Sequence, residues 1–467
     1  MHLSRGAGKV STMVDKKTAL KTAQEILAAS PFKETEVALT FSHAMLTRYG
    51  DNAVTQNVEQ TGITLGLRAV LHDPEGAKTA RVECDQTDTH SVKRAYERLK
   101  KILEVMPSSS DIAGIYKPQD NPRAAEKPEP TLPNPEDAAL AVAKASEAAK
   151  PHGLQASGTM SAEIQTTVLV NSQGLEAVDL LSDSEFACTI EGNGGAGRGF
   201  SHEPYSKHLS IDASIERALN KCLDSSGRLG EAVALEPGNY DVVLEPAAIA
   251  ELLVYFGWTG LSAKAYLENR VFCRQKLGQK IISENISLLD DPHDPRVSGA
   301  SFDGFGVPKR KLTFVDHGVL TELASDAKTA TKIKRAPTGH GNTEPNASDS
   351  VPWNLSLQWH GPTASNAELI SRVKRGVLVT QFHYTNTVDV MVPSFTGMTR
   401  NGTFLIENGR VTRPILNMRF TQSMIDVFNH IEAASSNSER VTTFFGGASL
   451  CPTVLVRNFH FSSGTGF

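Results

Sequence analysis

His202, Glu203 and His208, inside SHEPYSKHLS, have the residue types of a zinc peptidase site but not its spacing. Zinc holds its ligand atoms at ~2.0–2.3 Å, so two histidines must converge within a few ångströms of each other. The H-E-x-x-H arrangement achieves this by placing i and i+4 on one helical face. Here the histidines are six apart and Pro204 follows Glu203. That proline favours extended backbone at Glu203 and starts any helix after His202, leaving the two histidines in different elements. In a strand, six residues at ~3.3 Å each separate them by ~20 Å. The segment reads as a polar loop.

Two other stretches invite a chemical reading. Gly192–Gly197 formally fits G-x-G-x-x-G, but that fingerprint needs a helix opening directly after the glycines, whereas Arg198, Gly199, Phe200 and Pro204 intervene. It reads as a flexible glycine loop. DDPHDP (Asp290 to Pro295) groups three carboxylates with His293, yet Asp-Pro pairs build turns and splay neighbouring side chains. The histidines of the second half (His317, His340, His360, His383, His430 and His460) are far apart, and no G-x-S-x-G elbow or P-loop is present. Spacing alone assembles no catalytic constellation.

The chain around these residues is ordinary globular material: 467 residues, 40% hydrophobic, 21% charged, with a formal net charge of −5. No basic stripe offers a footprint for direct nucleic-acid binding. The five cysteines (Cys84, Cys188, Cys222, Cys273 and Cys451) are scattered, without a C-x-x-C pair, which points to a reducing compartment. No apolar run approaches the ~20 residues of a membrane span, and MHLSRGAGKVSTMVDKK lacks the apolar centre of a signal peptide. A cytoplasmic protein with no membrane partner is expected.

Periodicity predicts an α+β fold. KKTALKTAQEILAA, HSVKRAYERLKKILEVM, DAALAVAKASEAA and IDASIERALNKCLDS are helical. EVALTFSHAMLTRY and GITLGLRAVLH, separated by the polar stretch GDNAVTQNVEQT, are strand-like, as are SGTMSAEIQTTVLVNSQG and FACTIEG. Residues 118–136 form a proline-rich loop. Residues 1–12 read as a disordered extension, 13–235 as an N-terminal domain of mixed helix and antiparallel sheet, and 236–467 as a β-rich, barrel-like domain. One strong helix, beginning at Pro246, is evident in the latter.

Several ordered motifs in the second half carry a family resemblance. FTGMTRNGTFLIENGRVTRPILNMRFTQSM (Phe395–Met424), FDGFGVPKRKLTFVDHGVL (Phe302–Leu320), SDAKTATK, the TGHGN turn (Thr338–Asn342) and KRGVLVTQFHY (Lys374–Tyr384) resemble the TldD/PmbA family, also labelled modulator of DNA gyrase. LTRYGDNAVTQN (Leu46–Asn57) resembles the family's early sheet. The resemblance implies a two-domain α+β subunit that dimerises around a cavity. Its TldD branch looks like a zinc peptidase acting on unfolded or small peptides, with H-E-x-x-x-H on the first helix of the C-terminal domain and a cysteine ligand further on. The TldE (or PmbA) branch lacks that motif.

Counting back without gaps from Leu277 places the motif window on Val254–Thr259. Val254 stands where the first histidine would be, Tyr255 for the glutamate and Thr259 for the second histidine. Valine cannot ligate, threonine is a poor zinc ligand, and tyrosine cannot replace a glutamate base near neutral pH. Residues 241–270 contain no histidine, and Cys451, directly before Pro452, is not at the family's cysteine position. Ile249, Leu252, Leu253 and Phe256 follow helical spacing and should face the core, while Gly257 and Gly260 allow close packing or end the helix.

The resemblance therefore implies a TldE-like chain without catalytic or metal-binding residues of its own. Its expected partner is a TldD-like, zinc-bearing subunit, with a homodimer as the other assembly and an extended peptide as substrate. An independent metallopeptidase with a relocated site (His317, His340 or His383) and a non-hydrolytic regulatory interaction protein are the alternatives.

Overall fold

The structure is a computed structural model and describes residues 14–110, 112, 114–118, 127–297, 299–342, 350–442 and 447–464. The extension over 1–12 and residues 119–126 of the proline-rich loop lie outside the described residues. The chain divides into two compact units: Met1–Met45 with Glu59–Lys127 and Glu163–Ser182, and Leu46–Val58 with Pro128–Ala162 and Asp183–Phe467.

In chain order the first elements are α1 (Lys16–Ala28), β1 (Glu34–Gly50), β2 (Ala53–Asp73), β3 (Gly76–Cys84), α2 (Thr89–Val105), α3 (Pro135–Ala149), β4 (Gln155–Asn171) and β5 (Glu176–Gly192). Within the first unit the strands run β3-β2-β1-β4-β5, and the two helices lie on this sheet. Each helix begins because an aspartate satisfies its first free amides: Asp15 accepts from Lys17 and Thr18, and Asp88 from His90 and Ser91. Ala19, Ala23 and Ile26 of α1, and Val92, Tyr96, Leu99 and Leu103 of α2, recur every three or four residues and meet Leu65, Leu67, Val82, Val168 and Val170. Buried charges here are paired: Glu36 is held bidentately by Arg68 at 3.0 and 3.1 Å, and Asp179 by Lys127 at 2.7 Å.

The second unit opens on a hairpin whose turn is Asp51-Asn52, both at positive φ (50° and 64°), as a two-residue turn of this hand requires. Its return limb corrects the sequence reading: the polar stretch GDNAVTQNVEQT is not a separator but the beginning of β2. Residues 53–58 are all exposed, so this limb carries no apolar alternation by which a strand is recognised. The α3 helix is set by a capping box between Asn134 and Asp137, with Pro135 at its first position.

The next elements are β6 (Gly195–Pro204) and α4 (Ile211–Leu223). Gly192–Gly197, expected to be a flexible loop, is instead a tight hairpin and the start of a strand: Gly192 pairs with Gly195 across Asn193 and Gly194, both at positive φ. Gly195, Gly197 and Gly199 then share one face of β6 and admit α4 against the bare backbone. A Cβ at Gly197 would sit 2.1 Å from the Ala218 carbonyl oxygen, and one at Gly199 1.8 Å from that of Ser214. The opposite face is left to Arg198, Phe200 and His202.

The remainder of the second unit comprises β7 (Gly238–Leu244), α5 (Pro246–Gly260), α6 (Ala263–Leu267), β8 (Ile286–Asp290), β9 (Leu312–Asp316), β10 (Val319–Leu320), α7 (Ala327–Lys332), β11 (Ser356–Trp359), β12 (Thr363–Ala364), α8 (Asn366–Ser371), β13 (Arg375–Asp389), β14 (Ser394–Glu407), β15 (Arg410–Pro414), β16 (Met418–Ser423), α9 (Met424–Asn429), β17 (Ile431–Thr442) and β18 (Ala448–Gly464). A four-stranded sheet runs β10-β9-β8-β11. In the larger sheet β7 pairs in parallel with β13 and antiparallel with β18. Since β13, β14, β16 and β18 also pair in succession, five strands return on themselves, which gives the expected barrel-like character a concrete form.

Against this ring lies α5, apolar around most of its circumference: Ala248, Ile249, Ala250, Leu252, Leu253, Val254 and Phe256 are all at most 2% exposed, and Glu251 is its one charged residue. A helix so largely apolar belongs in an interior, and here β7, β13, β17 and β18 all pack on it. Phe256 meets Phe272 and, edge-on, Phe428, with centroids 5.2 and 5.1 Å away. Gly257 and Gly260 bring Leu355 and Phe272 close, and Gly260 is also the last helical residue.

The glycine face of β6 yields a first test. Gly199→Ala places a methyl group on the Ser214 backbone and is expected to cost about 1–3 kcal/mol or more. Ala196→Ser, on the other face, should stay within about 0.5 kcal/mol. Urea unfolding midpoints of the two variants check this.

Candidate functional site

A cleft of about 710 Å³ opens within the second unit, walled by β5 and β6, one stripe of α5, the β13–β14 pair and the end of β17. Cross-strand register builds its first wall, because Glu185 lies directly opposite His202, Ala187 opposite Phe200 and Thr189 opposite Arg198. Helical periodicity builds the second, with Ala247, Glu251 and Tyr255 at i, i+4 and i+8 on α5. The third comes from Gln381 and His383 of β13 with Arg400 and Asn401 of β14. The pairing slips between His383 and Asn386, and Tyr384, at φ 54°, is thrown outward to 68% exposure.

His202 corrects the sequence reading of its segment. It is not in a polar loop but in β6, its side chain 4% exposed, while His208 is exposed beyond the strand. Its Nδ1 lies 2.9 Å from the Thr442 hydroxyl and 3.3 Å from Glu185 Oε2. A hydroxyl–imidazole–carboxylate relay needs its two partners on opposite ring nitrogens. Both are on the same one here, so this trio is a packing arrangement and not a nucleophile with its base.

Burial governs the charges of the cleft. It pushes the His202 pKa down to about 3, helped by Arg440 and Arg198, so the ring is neutral. It raises the carboxyl of Glu185, which Arg198 opposes, and that of Glu251, which the Thr385 side chain opposes. The Tyr255 phenol is raised to about 12 by burial and by Glu251 one turn away. His383 is lowered by burial and by the guanidinium groups of Arg400 and Arg198, and Arg400 Nη1 lies 3.0 Å from its Nε2.

The three positions singled out on the helix are engaged as packing and not as ligands. Val254 is 2% exposed in the apolar core and has no donor atom to offer. Tyr255 donates its hydroxyl to the Thr385 carbonyl at 2.5 Å, and Thr259 donates its own to the Tyr255 carbonyl at 2.7 Å. This trio does not fit zinc, which needs several free lone pairs converging on one point.

The other histidines are engaged separately. His317 stacks on His360 at 4.1 Å, and His340 is buried between Thr338 and Asp290, its Nε2 3.3 Å from Asp290 Oδ2. His383 lies in the cleft. From DDPHDP only Asp290 points into the protein, while Asp291 and Asp294 cap their own turns. Among the described residues no three His, Cys, Asp or Glu side chains are grouped so as to hold a metal ion. Among those residues, too, no helix is long and apolar enough to cross a membrane, and all five cysteines are free thiols.

The cleft residues Glu185, Arg198, Glu251 and Arg400 escaped the sequence reading. The alternating glycines of β6 were a visible signal for Arg198 alone, since a strand whose every second residue is glycine presents the intervening residues on its other face.

These features define an α+β protein in which a returning set of strands is built around one apolar helix, with a charged cleft beside it. The second half of the chain carries the signature of the TldD/PmbA family: residues 237–463 match the PmbA/TldA metallopeptidase C-terminal domain. It is 22% identical to "Metalloprotease PmbA" of Escherichia coli O157:H7 over 94% of this chain and 95% of that one. Against some other curated relatives the match spans less than half of their length, 43% and 48%. The fold is that of TldE from Thermococcus kodakarensis, with a TM-score of 0.78 at 19% identity, covering 96% of this chain and 99% of that one. A Thermotoga maritima protein named as a candidate modulator of a DNA gyrase is equally similar, with a TM-score of 0.78 at 18% identity, covering 94% and 99%.

The neutral, buried His202 gives a pH test. Its folded pKa lies below the 6.5 of the free side chain, so as pH falls through 6.5 the unfolded chain takes up a proton that the folded chain does not. Glu185, raised by burial, works in the opposite direction, so the comparison must isolate the histidine. Between pH 7 and 4.5 the stability advantage of the parent over His202→Gln should shrink by about 2–3 kcal/mol. Urea unfolding at both pH values measures it.

Proposed function

We propose that this chain is the TldE/PmbA-like, non-metal subunit of a TldD–TldE metallopeptidase complex that degrades or processes unfolded or small peptides. One observation carries the reading. At Val254, Tyr255 and Thr259, where the zinc-bearing branch would place its ligands and base, this chain has an aliphatic core residue and two hydroxyls already donated to backbone carbonyls. The metalloprotease naming of its relatives supports a proteolytic setting, and the TldE likeness supports the branch. Zinc, and the water it activates, then belong to the TldD-like partner. The contribution of this chain is to complete the chamber and to hold extended peptide through backbone hydrogen bonds that tolerate many sequences.

The test is reconstitution with a TldD-like subunit that carries H-E-x-x-x-H. The pair is expected to cleave an unstructured peptide such as reduced, denatured casein, with cleavage abolished by a chelator. This chain alone should leave the peptide intact. Chelator-sensitive cleavage by this chain alone overturns the proposal.

A further inference from the structure

The cleft beside α5 carries charged groups that, among the described residues, form no ion pair with an opposite charge. Arg198, half-buried on β6, has no hydrogen-bond or ion-pair partner among the described residues. Arg400 contacts the His383 ring but has no carboxylate partner among them. On the α5 wall, Glu251 is half-buried with no basic partner. Two cations, Arg198 and Arg400, and two carboxylates, Glu185 and Glu251, thus line one cavity, and among the described residues no ion pair joins either cation to a carboxylate. Arg400 is exposed, but Arg198 and Glu251 are half-buried, and keeping an unpaired charge partly away from water is costly enough that proteins usually remove it with a salt bridge or a change of residue.

The strands that carry them, β6 and β14, pack together, and Arg198 lines one recess with Asn401, the neighbour of Arg400. Guanidinium forks match a carboxylate in plane and spacing, better than any ammonium does. A phosphate dianion or a nucleic-acid backbone suits the cleft poorly, because Glu185 and Glu251 line it too and the chain carries a net charge of −5. Phe200, Phe382, Tyr255 and Tyr384 add apolar surface to the same cleft. The complementary ligand is a monoanion with a cation at its other end and small apolar groups between.

We infer that the cleft is a binding site for a short peptide with a free C-terminal carboxylate, which Arg198 and Arg400 hold while Glu251 faces the peptide's amino end. The site lies in this chain and needs no metal. It builds on the reading of the chain as a peptide-handling subunit and adds to it a preference for chain ends over internal segments, such as the products of cleavage or short fragments.

Calorimetric titration of the full chain with trialanine, trialanine amide and N-acetyl-trialanine tests it. Trialanine should bind, the amide about tenfold or more weakly, and the N-acetyl peptide more weakly than trialanine. Arg198→Met, verified as folded by circular dichroism, should remove the preference for carboxylate over amide, and Arg198→Lys should restore it in part. The inference is overturned if neither trialanine nor its amide binds, if the two bind equally, or if folded Arg198→Met keeps the preference. Should Arg198→Met not fold, Arg400→Met read in the same way decides. The outcome separates from that of the reconstitution. Cleavage by the pair without carboxylate preference sinks the cleft alone, and carboxylate preference with an inert pair sinks the peptidase reading alone.

Discussion

The enclosure of α5 is the constraint on which the second unit depends. A fifteen-residue helix with a single charged residue needs its apolar faces covered, and here strands cover them by returning on themselves through β7, which pairs with both β13 and β18. Once the helix is fixed by Ile249, Leu252, Leu253 and Phe256, every other position on it is fixed too. Val254 must point into the core, and Tyr255 and Thr259 must spend their hydroxyls on nearby carbonyls. Glu251, a turn earlier on the Tyr255 stripe, must enter the cleft. The same packing that buries Val254 in the core places the carboxylate of Glu251 in the cleft.

Much of this was legible from periodicity. The helices at residues 16–28, 89–105, 135–149 and 211–223 follow from apolar spacing and from capping residues such as Asp15, Asp88 and Asn134. The ordered motifs of the second half pointed to the family, and the lack of any histidine in α5 was plain from the sequence. Two elements were not legible, for different physical reasons. The limb at residues 53–58 is exposed on both faces and so lacks the alternation that marks a half-buried strand. Gly192–Gly199 looked like a loop because glycines usually mark one. Here they are absent side chains, and what they make room for is α4, a contact between segments that no local pattern encodes.

The cleft itself was the least visible part. Its residues come from six elements spread between Glu185 and Thr442, and each is unremarkable in its own neighbourhood. His202 drew attention for the wrong reason. Its neighbours Glu203 and His208 have no part in the cleft, while its true partners, Glu185 and Thr442, come from other strands. The cleft depends on which face of β6 is stripped to glycine. A shift of one residue in register would turn Arg198 and His202 toward α4 and leave the cavity lined by bare backbone.

The central claim is that packing has replaced ligation on α5. Zinc content of tag-free protein, purified without its partner and dialysed against zinc-containing buffer, tests that claim most directly. Far less than one zinc per chain is the expected result, with the same low content in Thr259→Ala. One tightly held zinc per chain, lost on that substitution, would contradict it.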